Sequence, residues 1–333
     1  MRKTDMNELK NLRGKGLLIH HWDTDGICSA KLILEKYGEL IVENKTPSLG
    51  NYFLTVKELN ECKEFDFIII VDMNLPEQNI LTLAEHAQLF IFDHHLGKEI
   101  NQVFHHNPII KGKNPDNYPS ASYIVNDYLQ NPINLYAILG IVGDHEQKIK
   151  NNPYFTQLID QFCETHDVTF NDLLTMVYLI DSNYKKGDKT AVEQAPYYLL
   201  NHPEPRDILT NDTWKNNLKE LDNEINLLLN QPVEKTNSII MKTMNTSSNI
   251  ISTITRQLAW KNNQDTVVIN KGYFDGEDQL YVRTINNDMQ PMIQKGKDYG
   301  FKCGGKKEVL GAILPKQKTE SFVNEIISYL SKQ

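Results

Sequence analysis

Four short apolar runs each end in acid or imidazole, and that recurrence is the chemical signal in this sequence. Gly16 to His20 leads into His21-Trp22-Asp23-Thr24-Asp25-Gly26, and Phe65 to Val71 leads into Asp72. Leu89 to Phe92 leads into Asp93-His94-His95, and Ala137 to Val142 leads into Gly143-Asp144. If the runs are adjacent strands of an open parallel sheet, their carboxyl ends meet along one crevice, where such folds bind ligands. That crevice would gather five aspartates and up to four histidines, counting His20. Bare carboxylates so close together repel and raise one another's pKa. Divalent cations remove the conflict. Mixed carboxylate and imidazole ligands suit manganese better than calcium, and the absence of thiolate argues against a structural zinc site.

Each residue alone has an ordinary structural reading. Asp23 or Asp25 can cap a helix starting near Gly26. Asp72, before Asn74 and Pro76, can be a turn residue, His94 and His95 can be surface or core histidines, and Asp144 can be loop punctuation. Four such coincidences, each at the end of an apolar run, argue instead for one shared site.

The elements that must position these residues follow from the patterning. The first half alternates compact apolar runs with helical stretches, as in βαβ units. Ile27 to Tyr37 is predicted as a helix stopped at Gly38, and Ala137 to Val142 as a fourth short strand. Asn201-His202-Pro203-Glu204-Pro205 marks a boundary, and Asp212 to Leu229 reads as a charged amphipathic helix ended by Asn230-Gln231-Pro232. A second pattern follows: a strand near Ile239 to Met244, then a helix from about Ser248 to Lys261. A hairpin of Val267 to Tyr273 with Gln279 to Thr284 turns around Phe274-Asp275-Gly276-Glu277. Another helix, a Gly-Gly loop and a C-terminal amphipathic helix complete it. The expected fold is α/β: a mostly parallel sheet flanked by helices over 1–205, a linker helix over 206–232, and a smaller α/β domain over 233–333.

Composition limits the function classes. The 333 residues are 40% hydrophobic and 23% charged, as in an ordinary globular protein. No apolar run approaches the roughly 18 residues of a membrane span, and the start, MRKTDMNELK, has no apolar stretch like that of a signal peptide. Cys28, Cys62, Cys163 and Cys303 lie far apart, which fits reduced thiols and a cytoplasmic location. Thirty-five basic against 43 acidic side chains, a net charge of -8, argue against an extended basic surface gripping a long polyanion. A local phosphate site carrying metal cations remains compatible with that charge.

HWDTDG at 21–26, Asp72 in IIVDMN, the DHH triplet at 93–95 and GIVGD ending at Asp144 resemble, in order and spacing, the four motifs of the DHH phosphoesterase superfamily. Asn107-Pro108 and Ser120-Ala121-Ser122 sit where its RecJ-like members carry an NP pair and a small-residue turn. The C-terminal part resembles the associated DHHA1 domain: Arg283 in LYVRT is similar to its arginine-bearing strand, and Gly304-Gly305-Lys306-Lys307 with Gly311-Ala312 to its Gly-Gly-His loop. Lys306 stands where the family usually has His. A lysine holds a phosphate as a point charge, with less directional hydrogen bonding, which bears on end-group and size preference.

The resemblance implies two metal ions, manganese first, with magnesium or cobalt as alternatives. His21 and Asp23 would bind one ion, Asp25, His94 and Asp144 the other, and Asp72 both. Asp93 would fix a neighbouring imidazole, and His95 would contact a non-bridging phosphate oxygen or stabilise developing charge. His20 is expected to be mainly structural. Arg283, Gly304, Gly305, Lys306 and Lys307 would bind the substrate's terminal phosphate or backbone.

The resemblance further implies a metal-dependent exonuclease of the RecJ-like and nanoRNase branch, acting on single-stranded RNA or DNA. The length and acidic balance favour short oligonucleotides, cut to nucleoside monophosphates. Alternatives are a RecJ-like 5′-to-3′ exonuclease on longer DNA, a phosphatase on a bisphosphonucleotide or cyclic dinucleotide, and a non-catalytic replication scaffold. A replication or repair partner is compatible with the sequence, whereas a membrane is not. Longer strands would need a basic, aromatic-lined channel; Tyr197, Tyr198, Trp214 and Trp260 are candidates, although each reads first as core or interdomain packing. Polarity, RNA against DNA, and oligomeric state stay open at this stage.

Overall fold

Gly-Leu-Leu-Ile-His carries no polar side chain before its last position, and a strand of that composition must be covered on both faces. In the computed structural model, which describes residues 8–236 and 239–332, it forms β1 (Gly16–His20), with all five residues buried. Four more strands join it: β2 (Ile41–Lys45), β3 (Phe67–Val71), β4 (Gln88–Phe92) and β5 (Phe104–His106). The sheet order is β2-β1-β3-β4-β5, and every pairing is parallel.

Register matters more than composition here. His20 pairs with Val71, Val71 with Phe92, and Phe92 with His106. Four strands therefore end level, and His21, Asp72, Asp93 and Asn107 leave the sheet side by side. The strand order reverses at β1 and β3, the switch point at which open α/β sheets place their ligands.

The helix Thr24–Tyr37 follows β1 and buries every residue from Thr24 to Leu34, because helices lie on several of its sides. One of these is the helix Leu135–His145, which corrects the expectation of a fourth strand at Ala137 to Val142. Leu135 to Val142 are all buried, so the run has neither the period of a strand nor that of an amphipathic helix. Local capping decides the outcome: Asn134 accepts the backbone N–H groups of Tyr136 and Ala137, satisfying donors at the helix start.

The described residues divide into two compact units, 8–184 with 188–218, and 185–187 with 219–332. The second unit holds a mixed sheet of β6 (Glu234–Thr236), β7 (Ile239–Met244), β8 (Thr266–Asn270), β9 (Glu277–Arg283), β10 (Lys302–Lys306) and β11 (Val309–Pro315). Its order is β10-β11-β9-β8-β7-β6, with β7 and β8 parallel and the other pairs antiparallel. Leu280, Val282, Leu310 and Leu314 form a core with Met292 and Phe322 of the helices Gln290–Asp298 and Lys316–Leu330. Val268 and Met244 belong to a second cluster with Ile254 and Leu258 of the helix Ile251–Asn262.

The expected Gly-Gly loop is also corrected. Gly304 and Gly305 lie inside β10, paired with Gly311 and Leu310. Gly305 has φ +148°, and a Cβ there would collide with the carbonyl oxygen of Val309, so only glycine fits. Among the described residues no helix is long and apolar enough to cross a membrane.

Candidate metal centre

Because β1, β3 and β4 end level, three of the four predicted motifs meet without long loops. Asp72 is the hinge of the arrangement. Its backbone turns left-handed at φ +57°, a conformation that Asp tolerates better than most residues but at a cost of roughly 1–2 kcal/mol. Its N–H is tied to the carbonyl oxygen of Phe92 at 2.9 Å.

The two oxygens of Asp72 face two different clusters. Oδ2 lies 3.6 Å from His21 Nδ1, and His21 Nδ1 lies 2.8 Å from Asp23 Oδ2. Oδ1 lies 3.5 Å from His94 Nε2 and 3.9 Å from His95 Nδ1. His94 Nε2 is also 3.1 Å from Asp144 Oδ2 and 3.9 Å from Asp25 Oδ2. Within His21-Asp23-Asp72, within Asp25-His94-Asp144 and within Asp72-His94-His95, one ligand atom per residue lies within 4.8 Å of the others.

The capping and chemical readings of Asp23 coincide. Oδ1 accepts the Gly26 N–H at the start of the helix Thr24–Tyr37, leaving Oδ2 for His21. Asp25 is gripped differently: Oδ2 accepts the Ala121 N–H at 2.6 Å and Oδ1 the Ser122 N–H at 2.9 Å. Those donors open the helix Ala121–Tyr128, capped by Ser120, so the Ser-Ala-Ser segment is a carboxylate cradle.

Burial and crowding of like charges set the electrostatics of these side chains. Burial, with Asp144 adding repulsion, raises the Asp25 carboxyl to about 6. Burial also pushes Asp72 up, reinforced by Asp25 and Asp23. Burial opposes charge on His94, but contacts with Asp144 and Asp72 outweigh it and raise that imidazole to about 12. His21 rises against burial through Asp23, while Asp23 falls against burial through His21. Protons on imidazole thus supply the charge that the carboxylates demand.

Cations fit this donor set. Both ring nitrogens of His21 and Oδ1 of Asp72 are buried without a hydrogen-bond partner; the 2.8 Å approach of His21 to Asp23 lacks hydrogen-bonding geometry. Each such orphan costs about 1–3 kcal/mol unless a ligand meets it. Nitrogen and carboxylate oxygen without thiolate suit a divalent ion such as manganese or magnesium.

The surrounding residues hold the triplet. His95 Nδ1 lies 2.7 Å from Asp93 Oδ1, and this contact lowers the Asp93 carboxyl although burial opposes it. Asn107 donates to the His95 carbonyl at 2.8 Å and accepts the Ile109 N–H at 3.0 Å, which gives the NP pair its place. His20 sits fully buried one residue from the cluster. Its Nδ1 is 2.6 Å from the His21 carbonyl, and its Nε2 faces Asn44. Burial holds it down at about 4, with the His21 carbonyl pulling the other way.

Gly140 was not singled out from the sequence. A Cβ there would overlap Asp25 Oδ1 and Ser122 Oγ. A glycine inside an apolar helix costs about 1 kcal/mol against alanine, and that was the available signal of close approach.

Arg283, Gly304, Gly305, Lys306 and Lys307 all belong to the second unit. Arg283 pairs with Val309 and Val309 with Lys306, so these three share one cross-strand row, while Lys307 starts the β10–β11 turn. Trp214 is buried, as the packing reading expected, but Trp260 is 59% exposed.

Residues 16–159 match the DHH family, N-terminal domain. No curated protein matches the chain. Among solved structures, exonuclease RecJ bound to manganese aligns with TM-score 0.67 and 15% identity, over 99% of this chain and 94% of that one. RecJ from Thermus thermophilus in complex with Mn²⁺ aligns with TM-score 0.69 and 15% identity, over all of this chain but 55% of that one. A pGpG-specific phosphodiesterase from Vibrio cholerae aligns with TM-score 0.55 and 16% identity, over 96% and 99%. At such identities the likeness is one of fold. Residues 16–159 are a DHH-family N-terminal domain, in a chain whose fold is that of the RecJ structures.

Proposed function

We propose that the protein is a two-metal phosphodiesterase that removes nucleoside monophosphates from short single-stranded oligonucleotides. The carrying observation is Asp72, whose two oxygens face separate clusters, His21 with Asp23 and His94 with Asp144 and Asp25. His21, Asp23 and Asp72 would hold one ion, and Asp25, His94, Asp144 and Asp72 the other, with manganese the first choice. Bound there, two divalent cations supply Lewis acidity, lower the pKa of a water and neutralise charge on the transferring phosphoryl group.

The chain's own residues do the positioning. Asp93 holds His95 Nδ1, which leaves Nε2 for the substrate. In its protonated form that nitrogen donates to a non-bridging phosphoryl oxygen as charge accumulates. Asn107 fixes the same residue's backbone, so ring and main chain are anchored separately. Asp25, tied to two backbone N–H groups, cannot swing away from its cluster. Arg283, Lys306 and Lys307, over the bare backbone of Gly304 and Gly305, hold substrate phosphate in the second unit. Lys306 does so as a point charge.

A short substrate is supported by the net charge of -8. The test is a Mn²⁺-dependent time course on end-labelled RNA and DNA, a few and about 30 nucleotides long, with Asp72→Asn in parallel. Monophosphate release from the shortest strands is expected. Processive digestion of long DNA from its 5′ end would replace this reading with a RecJ-like repair nuclease. No cleavage of any strand by metal-loaded protein would overturn hydrolysis of nucleic acid.

A further inference from the structure

The helix Ile251–Asn262 buries Ile254, Leu258 and Ala259 and turns Arg256 and Trp260, one helical turn apart, along another stripe. Trp22 and Trp214 are 4% and 5% exposed, whereas Trp260 leaves 59% of its surface open. Two guanidinium groups converge on that indole: Arg256 at 5.4 Å and Arg283, from β9, at 5.3 Å from the ring centroid. Both distances suit cation–π attraction, and the 59% exposure of Trp260 leaves ring surface for a further ligand.

Arg283 carries a second peculiarity. Among the described residues no carboxylate pairs with it, in a chain with 43 acids, whereas Lys302 of the same sheet pairs with Glu277. Val309 lies between it and Lys306, and the Tyr281 ring lies against Gly311, but the sheet edge beyond is bare at Gly304. Gly304 lies opposite Gly311, and a Cβ on Gly304 would meet nothing within 4 Å. Lys306 lies in the same cross-strand row as Arg283, two strands away, about 10 Å by strand spacing.

A flat exposed ring, a guanidinium with no carboxylate partner, the bare backbone of Gly304 and a further cation in the same row match one ligand chemistry: a planar base joined to phosphates. Guanidinium groups take phosphate oxygens two at a time, and indole stacks bases with little regard to sequence. We propose that Trp260, with Arg256 and Arg283 against its ring, is the platform on which one nucleobase of a single-stranded substrate stacks, while Arg283 takes the adjoining phosphate. The ligand class rests on the nucleic-acid reading above, but the platform does not depend on hydrolysis.

Binding therefore tests it apart from turnover. The probes are phosphorothioate-linked pentathymidylate, which resists cleavage, and the same strand without bases, titrated into wild-type, Trp260→Phe and Trp260→Ala protein. The wild type should bind the base-bearing strand at least tenfold more tightly than the abasic one, with quenching of tryptophan fluorescence. Trp260→Ala should lose that preference, and Trp260→Phe should recover most of it while losing the quench. Equal affinity of wild type and Trp260→Ala for pentathymidylate would overturn the platform, as would a quench that survives in Trp260→Phe. Base-dependent binding through Trp260 with no cleavage of any natural strand would uphold the platform and overturn the hydrolytic reading. Cleavage of natural strands, with Trp260→Ala binding unchanged, would do the reverse.

Discussion

Gly140 lies against Asp25 so closely that a methyl group on its Cα would occupy the space of Asp25 Oδ1. The same methyl would overlap Ser122 Oγ, next to the backbone N–H that Asp25 accepts. Gly140→Ala adds helix propensity worth about 1 kcal/mol, yet it must displace a carboxylate proposed to hold metal. We expect at least a hundredfold loss of turnover and a net destabilisation of about 1–3 kcal/mol from overpacking. Gly143→Ala, in the same helix, is the control: its Cβ would come no nearer than 3.3 Å to Thr24 Cβ. Thermal melts and initial rates of both variants decide, and equal effects would show that sterics at Asp25 are not the cause.

Asp72→Asn keeps the shape of the side chain, and Asn tolerates the left-handed backbone observed at φ +57°. It removes a buried carboxyl whose ionisation is resisted by burial and by Asp25 and Asp23. The metal-free variant should therefore melt no lower than wild type at pH 8, while turnover falls at least a thousandfold. Circular dichroism, metal content and rate are the measurements. Near-wild-type activity would remove Asp72 from the proposed centre.

What was readable in the sequence was the chemistry at strand ends, because Leu17 to Ile19, β3 and Leu89 to Phe92 are apolar throughout and imidazole or acid follows each. Level endings at His20, Val71 and Phe92 were not readable, since register is a relation between strands. Ala137 to Val142 failed for a different reason: a helix buried on all sides loses the periodicity that distinguishes it from a strand. Asn134 as its cap was the overlooked signal. The cradle for Asp25 required Ala121 and Ser122 from 96 and 97 residues away. Trp260 likewise draws Arg256 from its own helix and Arg283 from a later strand, so only the first neighbour was visible.

Asp93 touches the substrate in no reading offered above; it orients His95 through the 2.7 Å contact to Nδ1. Asp93→Asn keeps a hydrogen-bond acceptor but removes the charge. Partners of this type are worth about 10–100-fold in activity. We expect a loss of that size in kcat with KM and bound metal little changed, and a larger loss for His95→Ala. A rise in KM with kcat intact would assign Asp93 to substrate binding.

Metal binding and proton release should be linked, with a sign the carboxyls define. Burial and Asp144 raise the Asp25 carboxyl to about 6, above its unfolded value near 4, so the folded protein holds this proton more tightly than the unfolded chain. Below pH 4 both states keep the proton and Asp25 adds nothing to the pH dependence. Between pH 4 and 6 the metal-free protein loses stability as pH rises, by on the order of 3 kcal/mol from this group, because the unfolded chain ionises first. Raised Asp72 acts in the same direction. A divalent cation favours the ionised carboxylates and offsets that loss, so the rise in Tm on adding Mn²⁺ should grow steadily from pH 4.5 to pH 8. Melting curves with Mn²⁺ or with chelator across that range measure it. A metal-induced shift that is flat with pH, or largest at pH 4.5, would mean that the cation binds somewhere other than this carboxylate cluster.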